Sequence, residues 1–275
     1  MPVSPETLVA LLEHEMETNT GFVRIHAAEA LVEYGYGYKV SPVLLPDAGV
    51  ETPGYRLGVW RTLAQIVKAE SERRDYVERI RRVLTNAAAP DRLVAAESLA
   101  KLRVADRSDR PVLEEWLRVA RDTDAPFLLW LLLLSSGPSE RPQDEARLAR
   151  LLDSKDPVSR MRSGYALGRL GNASPESIRH LQQCAESEPA DSRARVYLLA
   201  AAFRYAARDS ASAAKLKQEL IAYFASSDAN EQLQASTAIG ARGSSEEVPA
   251  LTSLLKSAAA DARIGAAGAL LHLLR

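Results

Sequence analysis

The chain has 275 residues, a formal net charge of −1 and a hydrophobic fraction of 47%, which indicates a folded rather than a disordered protein. The near-zero net charge lacks the basic excess with which dedicated nucleic-acid-binding proteins neutralise phosphates, so we expect no nucleic-acid partner. The single cysteine, Cys184, excludes an internal disulfide and a cysteine-based zinc site, and this cysteine usage fits a reducing, cytoplasmic location.

The N-terminal residues predict a helix and no targeting segment. Ser4 is a helix-capping residue followed by Pro5 at the first helical position, and the basic and long apolar regions of a secretory signal are not visible. The next segment, "GFVRIHAAEALVEYG", contains His26 and Glu29 three residues apart, hence on one helix face. Such a pair can act as a general base and its orienting partner, or it can be two polar residues on a repeating scaffold.

Residues 36–54, "YGYKVSPVLLPDAGVETPG", have an irregular composition. They predict a shortened helix followed by an insertion loop in place of a regular first helix of a helix pair. Tyr36 and Tyr38 open this segment and Tyr55 follows it. Tyrosines on a glycine-rich loop suit a binding surface, because each offers a large contact area at low entropic cost. Packing of the loop over neighbouring helices explains the composition equally well.

Two apolar segments follow further along the chain. Residues 126–134, "PFLLWLLLL", are far shorter than the roughly 20 residues of a membrane-spanning helix, so they predict a helix buried on all sides and no membrane insertion. The chain ends in "ALLHLLR", although the last unit of a repeat array needs a polar outer face. This ending predicts a homo-oligomer or partner contact through the C-terminal helix, or leucines that all turn inward.

A repeat of about 34 residues runs through the chain, with its members 31 to 39 residues apart. This period is typical of two-helix solenoid units. It predicts one domain over residues 1–275 that contains about eight antiparallel helix pairs. The aligned second helices begin at Arg24, Arg56, Arg92, Phe127, Arg160, Arg193, Gln232 and Arg263. The predicted first helices are Ser4–Glu15, Arg73–Leu84, Pro111–Ala120, Glu145–Leu152, Pro175–Ala185, Ala213–Phe224 and Val248–Leu255.

The best repeat units, "GFVRIHAAEALVEYG" and "DPVSRMRSGYALGRLG", share a valine–arginine start, a pair of small residues and a leucine–glycine end. This pattern resembles HEAT repeats, in the bacterial form called phycobilisome-lyase HEAT-like. The resemblance covers most of the chain, although the second and fourth units depart from it. It implies a bacterial protein with a right-handed α-solenoid, and it leaves the function open because such repeats serve many roles.

The arginines of the repeat have a predicted structural role. We expect them to donate hydrogen bonds to carboxylates and carbonyls of the turns between helices, in a ladder along the repeat array. The predicted ladder comprises Arg24, Arg56, Arg92, Arg160, Arg193 and Arg263.

The residues two and five positions after the repeat arginine are predicted to face a concave groove, since second helices usually line that surface of a solenoid. In the N-terminal half they alternate in charge, and further along they form a basic stretch with a tyrosine. The candidate binding residues are His26, Glu29, Arg61, Glu97, Arg162, Tyr165, Arg169 and Arg195.

These patterns favour a non-enzymatic protein-binding or scaffold module, which presents its groove to a protein or peptide and needs no cofactor or metal. The alternative is an enzyme or enzyme subunit of the lyase or isomerase type that resembles this repeat family, with its site near His26, Glu29 and Arg61. A DNA glycosylase is less favoured, because Trp60 and Trp130 occupy core positions. A di-iron hydroxylase is also less favoured, because one His-Glu dipeptide occurs where that resemblance needs several.

Overall fold

The computed structural model describes residues 3–274, and in this part of the chain it contains sixteen α-helices and no β-strand. The all-α prediction is therefore confirmed. No helix in this range is long and apolar enough to cross a membrane. The helices are α1 (Pro5–Thr18), α2 (Gly21–Glu33), α3 (Gly37–Leu44), α4 (Tyr55–Ile66), α5 (Glu70–Thr85), α6 (Arg92–Leu102), α7 (Arg110–Leu117), α8 (Ala125–Ser135), α9 (Arg141–Arg150), α10 (Pro157–Leu170), α11 (Pro175–Ser187), α12 (Arg195–Tyr205), α13 (Ala211–Ala222), α14 (Ala229–Arg242), α15 (Val248–Leu254) and α16 (Ala260–Leu273). Short 3-10 helices span Pro46–Gly49, Arg107–Asp109, Leu151–Asp153, Tyr223–Ala225 and Ser245–Glu247.

Local sequence sets where many of these helices begin and end. At α10, the Asp156 side chain accepts a hydrogen bond from the Val158 backbone amide, and Pro157 occupies the first position. Ser174 caps α11 in the same way, by accepting from the Ser177 amide. Gly171 ends α10 with a φ of +78°, a left-handed conformation that glycine adopts without steric cost.

The helices cluster into two compact units. One unit comprises Arg74–Tyr205, and the other combines the chain up to Arg73 with the chain from Ala206. The second unit is thus discontinuous in sequence and contains both ends of the chain.

Within the unit Arg74–Tyr205, helices α6, α8, α10 and α12 lie side by side in one row, and α7, α9 and α11 pack against that row. Glycine permits the closest approach in the row. A β-carbon on Gly164 would lie 2.6 Å from Leu198 Cδ2, and one on Gly168 would lie 2.9 Å from Ala201 Cβ. The small residues of α10 therefore bring α12 close enough for side chains on the two helices to share one surface.

In the discontinuous unit, the corresponding row is α14, α16, α2 and α4, so the last helix of the chain lies beside the second. Helix α16 also packs against α1 and α15. Its Leu270 and Leu271 are buried in the unit, whereas Leu274 is 38% exposed. The apolar ending that suggested a homo-oligomer contact is thus largely covered by helices of the same chain.

Residues 36–54 contain the predicted short helix, α3, followed by the 3-10 helix Pro46–Gly49. Hydrogen bonds attach this segment to neighbouring helices: Trp60 Nε1 of α4 donates to the Ala48 carbonyl oxygen at 2.9 Å. Arg24 donates to Asp47 at 2.9 Å. It is therefore a folded part of its unit.

The arginine ladder is present at most of the predicted positions. Arg160 donates to the Ser154 carbonyl oxygen at 2.7 Å and, through two nitrogens, to the carboxylate of Glu188 at 2.8 and 2.7 Å. Arg92 donates to the Leu84 carbonyl oxygen at 2.6 Å. Arg24 and Arg56 bond to Asp47 and Glu51. Arg193, the fifth position of the predicted ladder, is exposed.

Arg263 shows that the two chain ends pack as successive repeats. It donates to the Ser257 carbonyl oxygen at 2.8 Å and to both carboxylate oxygens of Glu15 at 2.6 and 2.9 Å. Arg160 makes the same pattern with its own turn and with Glu188, the carboxylate at the end of the next helix, α11. For Arg263, that carboxylate belongs to α1.

Candidate binding surface

The residues of the predicted N-terminal site have separate partners. His26 Nδ1 lies 2.9 Å from Asp261 Oδ1 of α16. Glu29 accepts from Arg61 Nε at 2.6 Å. Arg61 is only 3% exposed, so it has little surface with which to contact a ligand. His26 and Glu29 therefore take part in two contacts between neighbouring helices, one on each side of α2.

The loop tyrosines divide into one packed and two surface residues. The Tyr55 hydroxyl donates to the Asp47 carboxylate that also binds Arg24, and burial, followed by the contact with Asp47, raises the pKa of Tyr55. Tyr36 and Tyr38 have ring centroids 6.5 Å apart, and Tyr38 is 69% exposed. Tyr55, the first residue of α4, therefore holds the 3-10 helix Pro46–Gly49 in place. Tyr38 lies in α3 rather than in the predicted loop, and it has the larger free surface.

Charged candidates further along the chain bond within the protein. Glu97 accepts from Lys101 at 2.9 Å. Arg162 donates to the Thr123 carbonyl oxygen at 2.5 Å, and Arg195 donates to the Glu188 carbonyl oxygen. Arginines committed to backbone carbonyls primarily connect neighbouring turns, as the ladder arginines do.

Tyr165 of α10 is the centre of an aromatic cluster built by three neighbouring helices. Its ring centroid lies 6.2 Å from Phe127 and 5.9 Å from Trp130, both on α8, and 6.4 Å from Tyr197 on α12. All three contacts are edge-to-face, the arrangement that the quadrupoles of aromatic rings prefer. Tyr165, Phe127 and Tyr197 are half-buried, so the cluster reaches the surface.

Cations surround these rings. Lys101 Nζ lies 5.7 Å from the Tyr165 centroid, Arg169 Cζ lies 5.0 Å from it, and Arg162 Cζ lies 5.3 Å from the Phe127 centroid. Each distance is within the range of a cation–π attraction. We name this patch the Tyr165 surface, and it comprises Lys101, Phe127, Arg162, Tyr165, Arg169 and Tyr197.

Trp130 forms the floor beneath Tyr165. Its side chain is 2% exposed, in agreement with the core position predicted from the repeat. Its Nε1 has no hydrogen-bond acceptor within residues 3–274. A buried donor without an acceptor costs about 1–3 kcal/mol, and the perpendicular Tyr165 ring is the aromatic neighbour of this indole.

The sequence reasoning named Tyr165, Arg162 and Arg169, and it missed Lys101, Phe127 and Tyr197. One signal was present in the repeat alignment. Lys101 and Arg169 both occur nine residues after the repeat arginine of their units, and both contact the same ring. Phe127 takes the place of a repeat arginine. The repeat arginines were predicted to have a structural role, so Phe127 was not considered as a binding residue.

Comparisons with known proteins do not assign a function. No protein-family model and no curated protein matches the chain. Two crystal structures of engineered proteins from the Northeast Structural Genomics Consortium are similar at a low level. One is 19% identical with a TM-score of 0.34, over 71% of this chain and 95% of that one. The other is 20% identical with a TM-score of 0.33, over 97% of this chain and 77% of that one. TM-scores this low carry no inference about fold or function.

Cys184 lacks the environment of a catalytic nucleophile. Burial, followed by the nearby carboxylates of Asp153 and Glu188, raises the pKa of its thiol to about 11. A reactive cysteine needs a lowered pKa, because the thiolate is the nucleophile.

We expect alkylation of native Cys184 by iodoacetamide to keep rising about tenfold per pH unit through pH values near 9 and 10, because the thiolate fraction rises in that way below the pKa. Peptide mass spectrometry of quenched samples measures the rate. The control is the same protein in denaturant, where the rate should level off near the ordinary thiol pKa of 9.0. A native profile that levels off at the same pH as the denatured one contradicts the raised pKa.

Proposed function

We propose that this protein is a HEAT-type helical-repeat module that binds a protein or peptide partner through the Tyr165 surface and performs no catalysis. The observation that carries the proposal is a half-buried aromatic cluster, edged by cations, on a row of closely packed helices. Aromatic residues and arginine are enriched at the centres of protein interfaces, since they combine apolar area with directed polar contacts.

The repeat interpretation rests on the arginine ladder and on the rows of second helices. Arg160 and Arg263 make equivalent contacts 103 positions apart in sequence, which indicates that the same structural unit recurs. We propose about eight antiparallel helix pairs in a right-handed solenoid, in a cytoplasmic protein. The close approach of α10 and α12 at Gly164 and Gly168 makes this part of the array a firm support for a binding surface.

The chemistry of the Tyr165 surface favours a partner segment that places an apolar side chain beside an acidic one. The rings of Phe127, Tyr165 and Tyr197 offer a rigid apolar area. Arg169 is exposed, and its guanidinium lies over the Tyr165 ring. An exposed guanidinium can bind a carboxylate through two parallel hydrogen bonds.

The test compares partner recovery by the wild-type protein with recovery by two variants, Tyr165→Ala and Arg169→Glu. Proteins retained from the native lysate are identified by mass spectrometry, and the affinity of each recovered segment is then measured with purified components. We expect at least a roughly tenfold loss of affinity in each variant, equivalent to about 1.4 kcal/mol or more. Charge reversal at Arg162 or Arg195 is a poorer test, because both side chains bond to backbone carbonyls.

Tyr38→Ala is the matched control, since it removes an exposed tyrosine outside the Tyr165 surface. All variants are first compared with the wild type by circular dichroism and thermal unfolding. Partners that bind both variants as tightly as the wild type would refute the assignment of this surface, whereas a loss in Tyr38→Ala alone would move the site to α3.

A further inference from the structure

Asp153, His180 and Cys184 form a cluster of metal-ligating groups, away from the Tyr165 surface. One ligand atom from each residue lies within 4.8 Å of those of the other two. The cluster is half-open, because His180 and Cys184 are partly buried and Asp153 is exposed. A single cysteine excludes a zinc site made of several cysteines, but it leaves room for one thiolate among other ligands. In the structure, His180 adds a nitrogen ligand and Asp153 adds an oxygen ligand to the sulfur of Cys184.

The two residues on α11 are held in register by the helix. His180 and Cys184 lie four positions apart, hence on the same face one turn from each other. The third residue ends the 3-10 helix Leu151–Asp153, against which α11 packs. His180 Nε2 lies 2.9 Å from Asp153 Oδ1, so the imidazole is already directed toward the carboxylate.

The charges around the cluster suit a divalent cation. Asp153 and Glu188 are the carboxylates that face Cys184, and Arg160 is the nearby cation. Arg160 is paired with both oxygens of Glu188 at 2.7 and 2.8 Å, so these two charges offset one another. Asp153 then places a negative charge near the thiol, and loss of the thiol proton adds a second.

We propose that Asp153, His180 and Cys184 bind a zinc ion, with water in a fourth position. Thiolate sulfur, imidazole nitrogen and carboxylate oxygen are the ligands that zinc takes in proteins, at bond lengths of about 2.0–2.3 Å in tetrahedral geometry. Binding displaces one proton from Sγ to solvent, and the imidazole stays neutral with a free nitrogen lone pair on the metal. The thiol that is unreactive without metal thereby becomes a ligand.

Access to this site comes from a cleft between α9 and α11. The cleft has a volume of about 820 Å³, and Asp153 and His180 are among its lining residues. Three protein ligands and an open side are the arrangement of zinc sites that exchange their fourth ligand with solvent or a small molecule. Arg141, Arg150 and Arg179 line the cleft together with Glu145, Glu176 and Asp153, so its charges are balanced and water can occupy the fourth position.

The experiment titrates cobalt(II), as a spectroscopic substitute for zinc, into the full-length protein with its thiol reduced. We expect one equivalent to produce a thiolate-to-cobalt charge-transfer band and the visible bands of a tetrahedral ion, and zinc to abolish both. Cys184→Ser is expected to lose the charge-transfer band and to bind zinc more than about tenfold more weakly, because the loss of even a supporting group costs 10- to 100-fold. His180→Gln is expected to weaken zinc binding similarly.

His14→Gln is the control, because it removes an exposed histidine outside the cluster and should bind zinc as the wild type does. Circular dichroism without metal confirms that each variant is folded. Absence of the charge-transfer band in the folded wild type overturns the proposal. Equal zinc affinities of the wild type and Cys184→Ser also overturn it, since the bound ion would then lie elsewhere. These outcomes are independent of partner binding at the Tyr165 surface.

Discussion

Replacement of Arg263 with methionine is expected to lower the free energy of unfolding by about 3–5 kcal/mol, the cost of breaking a buried ion pair by removing one partner. Glu15 is only 2% exposed, and both of its carboxylate oxygens accept from Arg263. Without the guanidinium, the carboxylate keeps the side chain of Asn19 as a partner but loses its counter-charge. The measurement is chemical denaturation followed by circular dichroism.

Two further variants make this result interpretable. Arg118→Met breaks an ion pair with Glu115 in which both side chains are about 70% exposed, and such pairs contribute roughly 0–1 kcal/mol. The double variant Glu15→Gln/Arg263→Met removes the stranded charge, so it should recover part of the lost stability and fold even if the single variant does not. Equal effects of Arg263→Met and Arg118→Met would show that the chain ends do not depend on this contact.

The second large effect is expected where α14 meets α16. A β-carbon on Gly240 would lie 2.5 Å from Ala269 Cα and 2.7 Å from Ala269 Cβ. The first of these is a backbone atom, so the helices must move apart to relieve the clash. Overpacking of this kind costs about 1–3 kcal/mol, and we expect Gly240→Ala to lower the melting temperature, although alanine is the better helix former.

Gly268→Ala, on α16 itself, is the matched control. Its β-carbon would meet Tyr34 Cε2 at 3.5 Å and Ala30 Cβ at 3.8 Å, which are ordinary van der Waals distances. The gain in helix propensity, up to about 1 kcal/mol, is then unopposed. Thermal unfolding should therefore order the proteins as Gly268→Ala at or above the wild type and Gly240→Ala below it. Similar melting temperatures for the two variants would contradict the close packing of α14 and α16.

Comparison of Arg160 with Arg263 shows which contacts the repeat pattern predicts and which it does not. The pattern predicted that both arginines bond to turn carbonyls and carboxylates, and the structure confirms this for each. It did not predict that Glu15, 248 positions away, would be the carboxylate for Arg263. In an open solenoid the first and last repeats lie apart, so the repeat pattern gave no reason to expect a contact between α16 and α1.

The candidate site residues also include some that the repeat pattern predicted and others that only the structure revealed. Tyr165 was identified because it lies five positions after the repeat arginine, where side chains were predicted to face the groove. Its aromatic neighbours were missed because contacts between three successive helices depend on the rotation of each helix about its axis. His26 and Glu29 looked like a chemical pair because they share a helix face, yet their hydrogen-bond partners lie on α16 and α4.

The sequence by itself determined the helices, their period and the roles of the ladder arginines. Each of these depends on local periodicity and on contacts between neighbouring repeats, which a linear pattern records. Only the tertiary structure decided which carboxylate receives Arg263, what covers the apolar end of α16, and that Asp153 lies beside His180 and Cys184. The contact of Arg263 with Glu15 joins residues 248 positions apart, far more than one repeat. The contact of Asp153 with His180 and Cys184 joins neighbouring repeats, but it depends on where each side chain points. Both contacts depend on how the helices close on one another in space, and binary patterning does not encode that.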